Sequence, residues 1–134
     1  MLSPDGDTNV YLQYTHARCI SILKKASSSS SSSLESQRVH RDISPITFSH
    51  PSEWDLACHI LRFSDMIELI PMELMPHRIC NYVYELCVKT NSFYRDCRVL
   101  GSAEENSRVV LLGASERVMR QCFELLGLRT LDTI

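Results

Sequence analysis

The amino-acid sequence predicts an all-α fold, an antiparallel bundle of about four main helices. Apolar residues recur at helical spacing along most of the chain, and the strict alternation that marks strands is nearly absent. Residues that interrupt helices are scarce, with four glycines and five prolines among 134 residues. Because the segments between helices are short, apart from one serine-rich stretch, successive helices are expected to run antiparallel.

The composition fits one compact domain, residues 1–134, since 44% of the chain is hydrophobic. A net charge of −2 gives no whole-chain electrostatic sign of a nucleic-acid or membrane partner. No apolar run approaches the roughly 18 residues of a membrane span, and the N-terminus lacks the pattern of a signal peptide. We therefore expect no membrane partner. We also expect the chain to be a cytoplasmic monomer.

Six cysteines raise the question of disulfides or a metal site. No two of them have the C-x-x-C spacing of common zinc sites. Cys80, Cys87 and Cys97 fall in one predicted helix, on or near its apolar side. We expect buried, reduced thiols and no metal site.

The first helix is predicted from about Thr8 to Lys25, with Asp7 or Thr8 as its N-cap. Seven serines follow at positions 27–33. A run of one small polar residue has little surface to bury, so we expect a flexible linker over about residues 26–50.

The second helix is predicted to begin at Pro51. Ser52 can be its N-cap, and Asp55, three residues later, can complete a capping box with Ser52. It is expected to stop near Pro71. The residues predicted to face the core are Trp54, Cys58, Leu61 and Met66.

Two further helices complete the predicted bundle. Pro76 suits the first turn of the third helix, and the pair Ser102 and Glu105 can cap the last helix, which Gly127 should terminate. The inward stripe of the third helix is predicted to be Ile79, Val83, Leu86, Cys87, Thr90, Tyr94 and Cys97. That of the last helix is predicted to be Val110, Ala114, Val118, Cys122 and Leu125.

The first helix carries two kinds of surface. At about 100° per residue, an arc of roughly 60° collects Tyr11, Tyr14, Arg18 and Lys25. An aliphatic arc about 150° away collects Leu12, Cys19 and Leu23, with His16 and Ile20 beside them. The aliphatic arc can serve as the core face, which leaves the rings and cations for another role.

Aromatic rings beside cations suit single-stranded nucleic acid. Unpaired bases stack on rings or guanidinium planes, while Lys and Arg neutralise phosphates. The alternative is that Tyr11 and Tyr14 pack against a neighbouring helix with their hydroxyls at the rim. The helical wheel alone leaves both interpretations open.

Several separated stretches of the sequence resemble one protein family. DGDTNVYLQYTHARCISILKK resembles the segment with which the C-terminal anticodon-binding domain of arginyl-tRNA synthetases begins. The resemblance continues, in the same order, through LRF, NYVYEL, FYRDCRVLGSAEENSR and VMRQCFELLGL. It covers nearly the whole chain apart from the serine run and the last residues.

The resemblance implies a helical bundle that binds the anticodon stem-loop of arginine tRNA. The tRNA-binding residues that it implies are Tyr11, Tyr14, Arg18, Lys24, Tyr94 and Ile134. Gln13 and His16 are also similar to the family, and we expect them to form hydrogen bonds near a helix crossing. The chain departs from the family at Thr15, where a small residue is usual, and at its C-terminus, where a basic residue and Met are common.

The sequence lacks the residues with which a class I synthetase activates its amino acid. The His-x-Gly-His and Lys-Met-Ser-Lys motifs of the Rossmann-type domain are absent, and so is a glycine-rich phosphate loop. We therefore expect no catalytic residue and no cofactor in this chain. ATP and arginine would be ligands of a catalytic domain that this chain lacks.

The expected function is thus the tRNA-binding part of arginine–tRNA ligase, with arginine tRNA and its own catalytic domain as partners. Such a chain would be a synthetase fragment, a split gene product or a truncated gene model. The alternative is a stand-alone helical interaction module, or a decayed copy, that does not bind tRNA.

Overall fold

The computed structural model describes residues 9–29, 45–73 and 75–131. Within these ranges the chain forms five helices and no strand: α1 Asn9–Ser29, α2 Pro51–Leu61, α3 Phe63–Glu73, α4 His77–Asp96 and α5 Glu105–Leu125. The predicted all-α class is confirmed. Helices α2 and α3 together form the single helix predicted to begin at Pro51, with a break at Arg62.

Helix α4 is central, because it packs against each of the other four helices. Its buried face comprises Ile79, Tyr82, Val83, Leu86, Cys87, Thr90 and Phe93. Helix α5 contributes Leu111, Leu112, Ser115, Val118, Met119, Cys122 and Phe123 to the same core. These residues recur every three or four positions, which places them on one side of each helix. The predicted stripe of α4 is confirmed except at Tyr94, which is half-buried.

Helix α1 presents its aliphatic side to this core, as predicted. Leu12, His16, Cys19 and Ile20 are buried, and Leu23 packs against the cluster. The helix continues past Lys25 through three serines of the run, and Ala26 is buried. The predicted caps Asp7 and Thr8 lie outside the described residues, as does most of the predicted linker.

The inward face predicted for the helix that begins at Pro51 is wrong at two of its four residues. Met66 packs against the core and Cys58 is half-buried. Trp54 and Leu61 are 61% and 77% exposed, whereas Glu53, Leu56 and His59 are buried. Hydrophobic periodicity predicts that charged side chains lie on the surface. Glu53 and His59 are buried all the same, because each has a hydrogen-bond partner inside the fold. The carboxylate of Glu53 binds Arg108, and His59 Nε2 lies 3.2 Å from the carbonyl oxygen of Tyr82.

The start of α2 also differs from the prediction. His50, not Ser52, is the N-cap, and its Nδ1 accepts a hydrogen bond of 3.2 Å from the amide of Ser52. Glu53 completes a capping box by accepting from the amide of His50 at 3.1 Å. Asp55 instead pairs with Lys89 at 2.6 Å, which ties α2 to α4.

The side-chain cap predicted at the N-terminus of α5 is wrong, whereas the glycine predicted to end the helix is confirmed. No side chain caps its N-terminus, and Glu105 instead accepts a 2.6 Å hydrogen bond from the amide of Gly101. At the C-terminus, Gly127 has φ 70 and the amide of Leu128 donates to the carbonyl of Phe123 at 2.8 Å. This is the glycine-terminated helix end that was predicted, since glycine alone adopts positive φ without cost.

Two residues that were predicted to face the core from α5, Val110 and Leu125, are exposed. Val118 and Cys122 are buried as predicted, and Ala114 is half-buried. The predicted stripe was rotated around the helix relative to the buried one, because α5 turns the side marked by Leu111, Leu112 and Ser115 toward the core. Among the helices of the described ranges, none combines the length and apolar character needed to cross a membrane.

Candidate nucleic-acid interface

An open groove of about 830 Å³ lies between α1 and α4. We call it the α1–α4 groove, and its lining residues are Tyr11, Arg18, Val88, Asn91, Ser92, Tyr94 and Arg95. Helix α1 supplies the first two and α4 the other five. Residues three, four or seven apart lie on one side of a helix, so each helix turns a continuous strip toward the groove.

The guanidinium of Arg18 lies over the ring of Tyr94, 4.1 Å from the ring centroid. This cation–π contact joins the two walls of the groove. One face of the Tyr94 ring is therefore covered by Arg18. A nucleobase that enters the groove from that side meets the guanidinium plane before it meets the ring.

Tyr11 is half-buried and held on two sides. Its ring centroid lies 5.8 Å from that of Tyr84, with the rings tilted by 47°. Its hydroxyl oxygen accepts a 2.9 Å hydrogen bond from Nδ2 of Asn91. Tyr11 therefore packs against a neighbouring helix, as the second interpretation of the sequence expects, and it is also one of the residues that line the groove.

Tyr14 differs from Tyr11, because 53% of its surface is exposed. It lies three residues after Tyr11 and four before Arg18, so all three share one side of α1. Packing against a neighbouring helix does not account for an aromatic ring that is exposed to this degree. Tyr14 is thus the ring in α1 that is open to a ligand.

Arg95 adds a second cation to the groove and was not singled out from the sequence. Its Nε donates to Oδ1 of Asp96 at 3.0 Å, and Nη2 donates to Oγ of Ser92 at 3.1 Å. The hydrogen bond and charge of Asp96 raise the pKa of Arg95 above its ordinary value. The sequence offered one sign of it, since Arg95 directly follows Tyr94, the tyrosine that the resemblance singled out.

Two of the implied binding residues that the structure describes do not line the groove: Tyr14, one turn before Arg18 on α1, and Lys24. Lys24 is exposed, but it follows Arg18 by six residues and so lies about 120° around α1. Ile134 lies outside the described residues.

Gln13 and His16 have the hydrogen-bonding roles expected of them. Gln13 donates through Nε2 to the carbonyl of Arg129 at 2.8 Å and accepts from the amide of Leu131 at 3.1 Å. His16 Nε2 lies 3.2 Å from Oε1 of Glu116 on α5. These bonds fix α1 against α5 and hold the segment after α5 beside the turn of α1 that carries Tyr14.

The polar groups of the residues that line the α1–α4 groove are two guanidiniums, an amide and hydroxyls. Across the described part of the chain, no three His, Cys, Asp or Glu side chains gather as metal ligands.

The fold and sequence match one family. The sequence pattern of the DALR anticodon binding domain matches residues 12–134. The chain belongs to the DALR anticodon-binding domains of arginyl-tRNA synthetases. Among its relatives, the cytoplasmic arginine–tRNA ligase of Arabidopsis thaliana is 39% identical over 128 residues, covering 96% of this chain and 20% of that protein. The arginine–tRNA ligase of Protochlamydia amoebophila is 34% identical over 132 residues, covering 98% and 21%.

Solved structures agree with this assignment to the DALR domains. The arginyl-tRNA synthetase of Plasmodium falciparum matches with a TM-score of 0.78 and 28% identity, over 97% of this chain and 22% of that one. The arginyl-tRNA synthetase of Thermus thermophilus matches with a TM-score of 0.74 and 27% identity, over 98% and 22%. The chain thus spans about a fifth of the length of these relatives, and the catalytic part is absent from it.

Proposed function

We propose that this DALR domain binds the anticodon stem-loop of an arginine tRNA with Tyr14 and the α1–α4 groove. The observation that carries the proposal is the exposed ring of Tyr14, one helical turn from the Arg18–Tyr94 pair. An open ring next to an open guanidinium plane offers two adjacent stacking surfaces. Unpaired loop bases need such surfaces, because they have lost their neighbours in a helix.

The charges of the groove support an RNA ligand. Arg18 and Arg95 lie in opposite walls, so a strand that runs between them can place phosphates against both. The net charge of the whole chain is −2, and cations concentrated at one surface can still attract RNA locally. Ser92 and Asn91 add neutral polar groups between these cations.

We further propose that the domain acts as the tRNA-binding part of an arginine–tRNA ligase in the cytoplasm. ATP and arginine would be handled by the catalytic part of that enzyme, so this chain alone is expected to form no arginyl-adenylate. The relatives support the reaction class, and they include ligases described as cytoplasmic and as chloroplastic or mitochondrial. Pyrophosphate exchange that depends on arginine, measured with the purified chain, tests the expected lack of catalysis.

A second candidate function is a helical interaction module that does not bind tRNA. One observation favours it, the exposure of Trp54 and Leu61, which lie seven residues apart and therefore on one face of α2. That face is separate from the residues of the α1–α4 groove. The two functions can be separated with substitutions at either surface.

The experiment compares Tyr14→Ala with Trp54→Ala, since each removes one exposed aromatic ring. Binding of a labelled anticodon stem-loop of arginine tRNA is measured by fluorescence anisotropy with the full chain. We expect Tyr14→Ala to weaken binding by about 1–3 kcal/mol, the stacking energy of one base, and Trp54→Ala to leave it unchanged. Circular dichroism confirms that both variants are folded.

Two results would overturn the proposal. One is equal affinity of the folded Tyr14→Ala variant and the unaltered chain. The other is equal affinity of the unaltered chain for a stem-loop of the same length with an unrelated anticodon loop.

A further inference from the structure

The amide of Asn91 bridges two side chains of α1 across the groove. Its Nδ2 lies 2.9 Å from the hydroxyl oxygen of Tyr11 and 3.1 Å from Oγ1 of Thr15. Asn91 is half-buried on α4, and its two partners are 80 and 76 residues away in the chain. Nothing in the tRNA-binding role described above uses this bridge.

The hydroxyl of Thr15 determines which way the amide faces. Thr15 has one hydroxyl proton, and it donates that proton to the carbonyl oxygen of Tyr11 at 3.0 Å. Toward Asn91 the Thr15 oxygen is therefore an acceptor. The group that Asn91 presents to α1 must be its NH₂ and not its carbonyl oxygen.

The same reasoning sets the direction of the Tyr11 hydroxyl. An NH₂ group has two hydrogens, and one goes to Thr15 while the other goes to Tyr11. Tyr11 is therefore the acceptor in its contact with Asn91. Its own proton points away from Asn91, and Tyr11 lines the groove.

We propose that Asn91 is a positioning residue that makes the Tyr11 hydroxyl a hydrogen-bond donor toward an oxygen of the bound RNA. The proposal rests on the tRNA-binding function proposed above. A hydroxyl that already accepts a hydrogen bond is a stronger donor, because successive hydrogen bonds polarise one another. Thr15 sets the direction of both hydrogen bonds from Asn91, because its own proton is donated to the carbonyl of Tyr11.

The first test uses a double-mutant cycle in the full chain. Tyr11→Phe removes the donor but keeps the ring against Tyr84, and Asn91→Leu removes the amide that orients it. Each is expected to weaken anticodon stem-loop binding about three- to tenfold, the loss of one hydrogen bond. The double variant should bind no more weakly than Tyr11→Phe alone, because Asn91 acts through Tyr11.

The second test keeps the hydrogen bond between residue 91 and the Tyr11 hydroxyl but reverses its donor and acceptor. In Asn91→Asp the carboxylate can only accept, so the Tyr11 proton turns toward it and away from the RNA. The added negative charge is controlled by Ser92→Asp, which places the same charge in the groove at a residue that does not touch Tyr11. Asn91→Asp is expected to weaken binding more than Ser92→Asp, and the excess should disappear in a Tyr11→Phe background.

The outcomes separate this inference from the function on which it rests. If the unaltered chain does not bind the stem-loop, the proposed function fails first. If it binds and Tyr14→Ala weakens it, but Tyr11→Phe binds as tightly as the unaltered chain, the inference alone is overturned. Strictly additive losses for Tyr11→Phe and Asn91→Leu also overturn it.

The acceptor can be a phosphate oxygen or a base carbonyl, and loop sequence distinguishes these two sources. A phosphate acceptor predicts that Tyr11→Phe has the same effect on stem-loops of every loop sequence. A base carbonyl predicts that its effect vanishes for loops in which that base is replaced by one without the carbonyl. Either result supports donation by Tyr11, whereas no effect on any loop contradicts it.

Discussion

Glu53 and Arg108 form an ion pair in which the carboxylate is buried and the guanidinium half-buried, with Oε1 of the carboxylate 2.6 Å from Nε of the guanidinium. The other carboxylate oxygen accepts from the amide of Ser49 at 2.6 Å, and Arg108 donates to the carbonyl of Arg98 at 2.9 Å. The pair joins residues 55 apart in the chain. It fixes the start of α2 against α5 and the loop that follows α4.

Loss of the Glu53 carboxylate should destabilise the fold. In Glu53→Gln the half-buried guanidinium of Arg108 loses its charged partner but keeps the carbonyl of Arg98, so we expect the loss of one charge-assisted hydrogen bond, about 1.5–3 kcal/mol. The control is Glu104→Gln, because Glu104 meets the same guanidinium at 3.6 Å from a more exposed position. Its loss should cost at most about 1 kcal/mol. Urea unfolding of the two variants checks this, and equal losses would contradict the assignment.

The Glu53 pair also predicts acid sensitivity. Burial raises the pKa of Glu53, but the hydrogen bonds from Arg108, His50 and Ser49 outweigh burial and leave the pKa below its ordinary 4.5. The unfolded chain therefore binds this proton more readily than the folded one. The stabilisation is complete above about pH 4.5 and is lost as pH falls through the folded pKa. The free energy of unfolding should depend less on pH in that range for Glu53→Gln, and an unchanged slope would refute the linkage.

His59 predicts a second pH effect at milder acidity. Its ring is buried and stacked on Tyr82 at 4.4 Å, and burial lowers the pKa of His59 below its ordinary 6.5. The neutral form is favoured in the fold, so stability is complete above about pH 6.5 and declines as pH falls toward the folded pKa. Unfolding measured across this range should show a slope that His59→Gln flattens. A His59→Gln variant with the same slope as the unaltered chain would contradict this assignment.

The six cysteines should react in an order set by burial. Cys80 is exposed and Cys58 half-buried, whereas Cys19, Cys87, Cys97 and Cys122 are buried. Burial raises the pKa of Cys19 and of Cys122 to about 12, and the thiolate is the reactive form. Alkylation of the native chain followed by mass spectrometry should modify Cys80 first and the buried four only after unfolding. Equal rates for Cys19 and Cys80 in the native chain would contradict this packing.

Helical periodicity predicted α4 well and α2 poorly, for one physical reason. In α4 nearly all buried residues are apolar, so counting apolar positions finds the inward face. In α2 two of the three buried residues are Glu53 and His59, whose partners lie 55 and 23 residues away. Local sequence carries no sign of such distant partners, so it assigned Trp54 to the core.

In the candidate site, too, the sequence could identify some residues and not others. Tyr11, Tyr14 and Arg18 could be grouped from the sequence because they share one side of a single helix. Asn91 could not, since its importance arises from contacts with Tyr11 and Thr15 on another helix. The helical wheel also did not show that Tyr11 is packed while Tyr14 is open, because that difference depends on Tyr84 and Asn91 of α4.

The contact between Arg18 and Tyr94 predicts that charge and shape contribute separately to RNA binding. Arg18→Ala removes a cation, so the dependence of affinity on salt should weaken by about 0.7 in logarithmic slope, the value for one phosphate of a single strand. Arg18→Lys keeps the charge but replaces the planar guanidinium over the Tyr94 ring with a compact ammonium.

We therefore expect Arg18→Lys to keep the salt dependence of the unaltered chain while binding the stem-loop more weakly, because a stacking surface is lost. Arg117→Ala, at an exposed position of α5 that does not line the groove, controls for a general loss of positive charge. Affinity measured over a series of salt concentrations gives both quantities for each variant. If Arg18→Lys matches the unaltered chain in affinity as well as slope, Arg18 acts only through its charge, and the guanidinium plane is not a stacking surface.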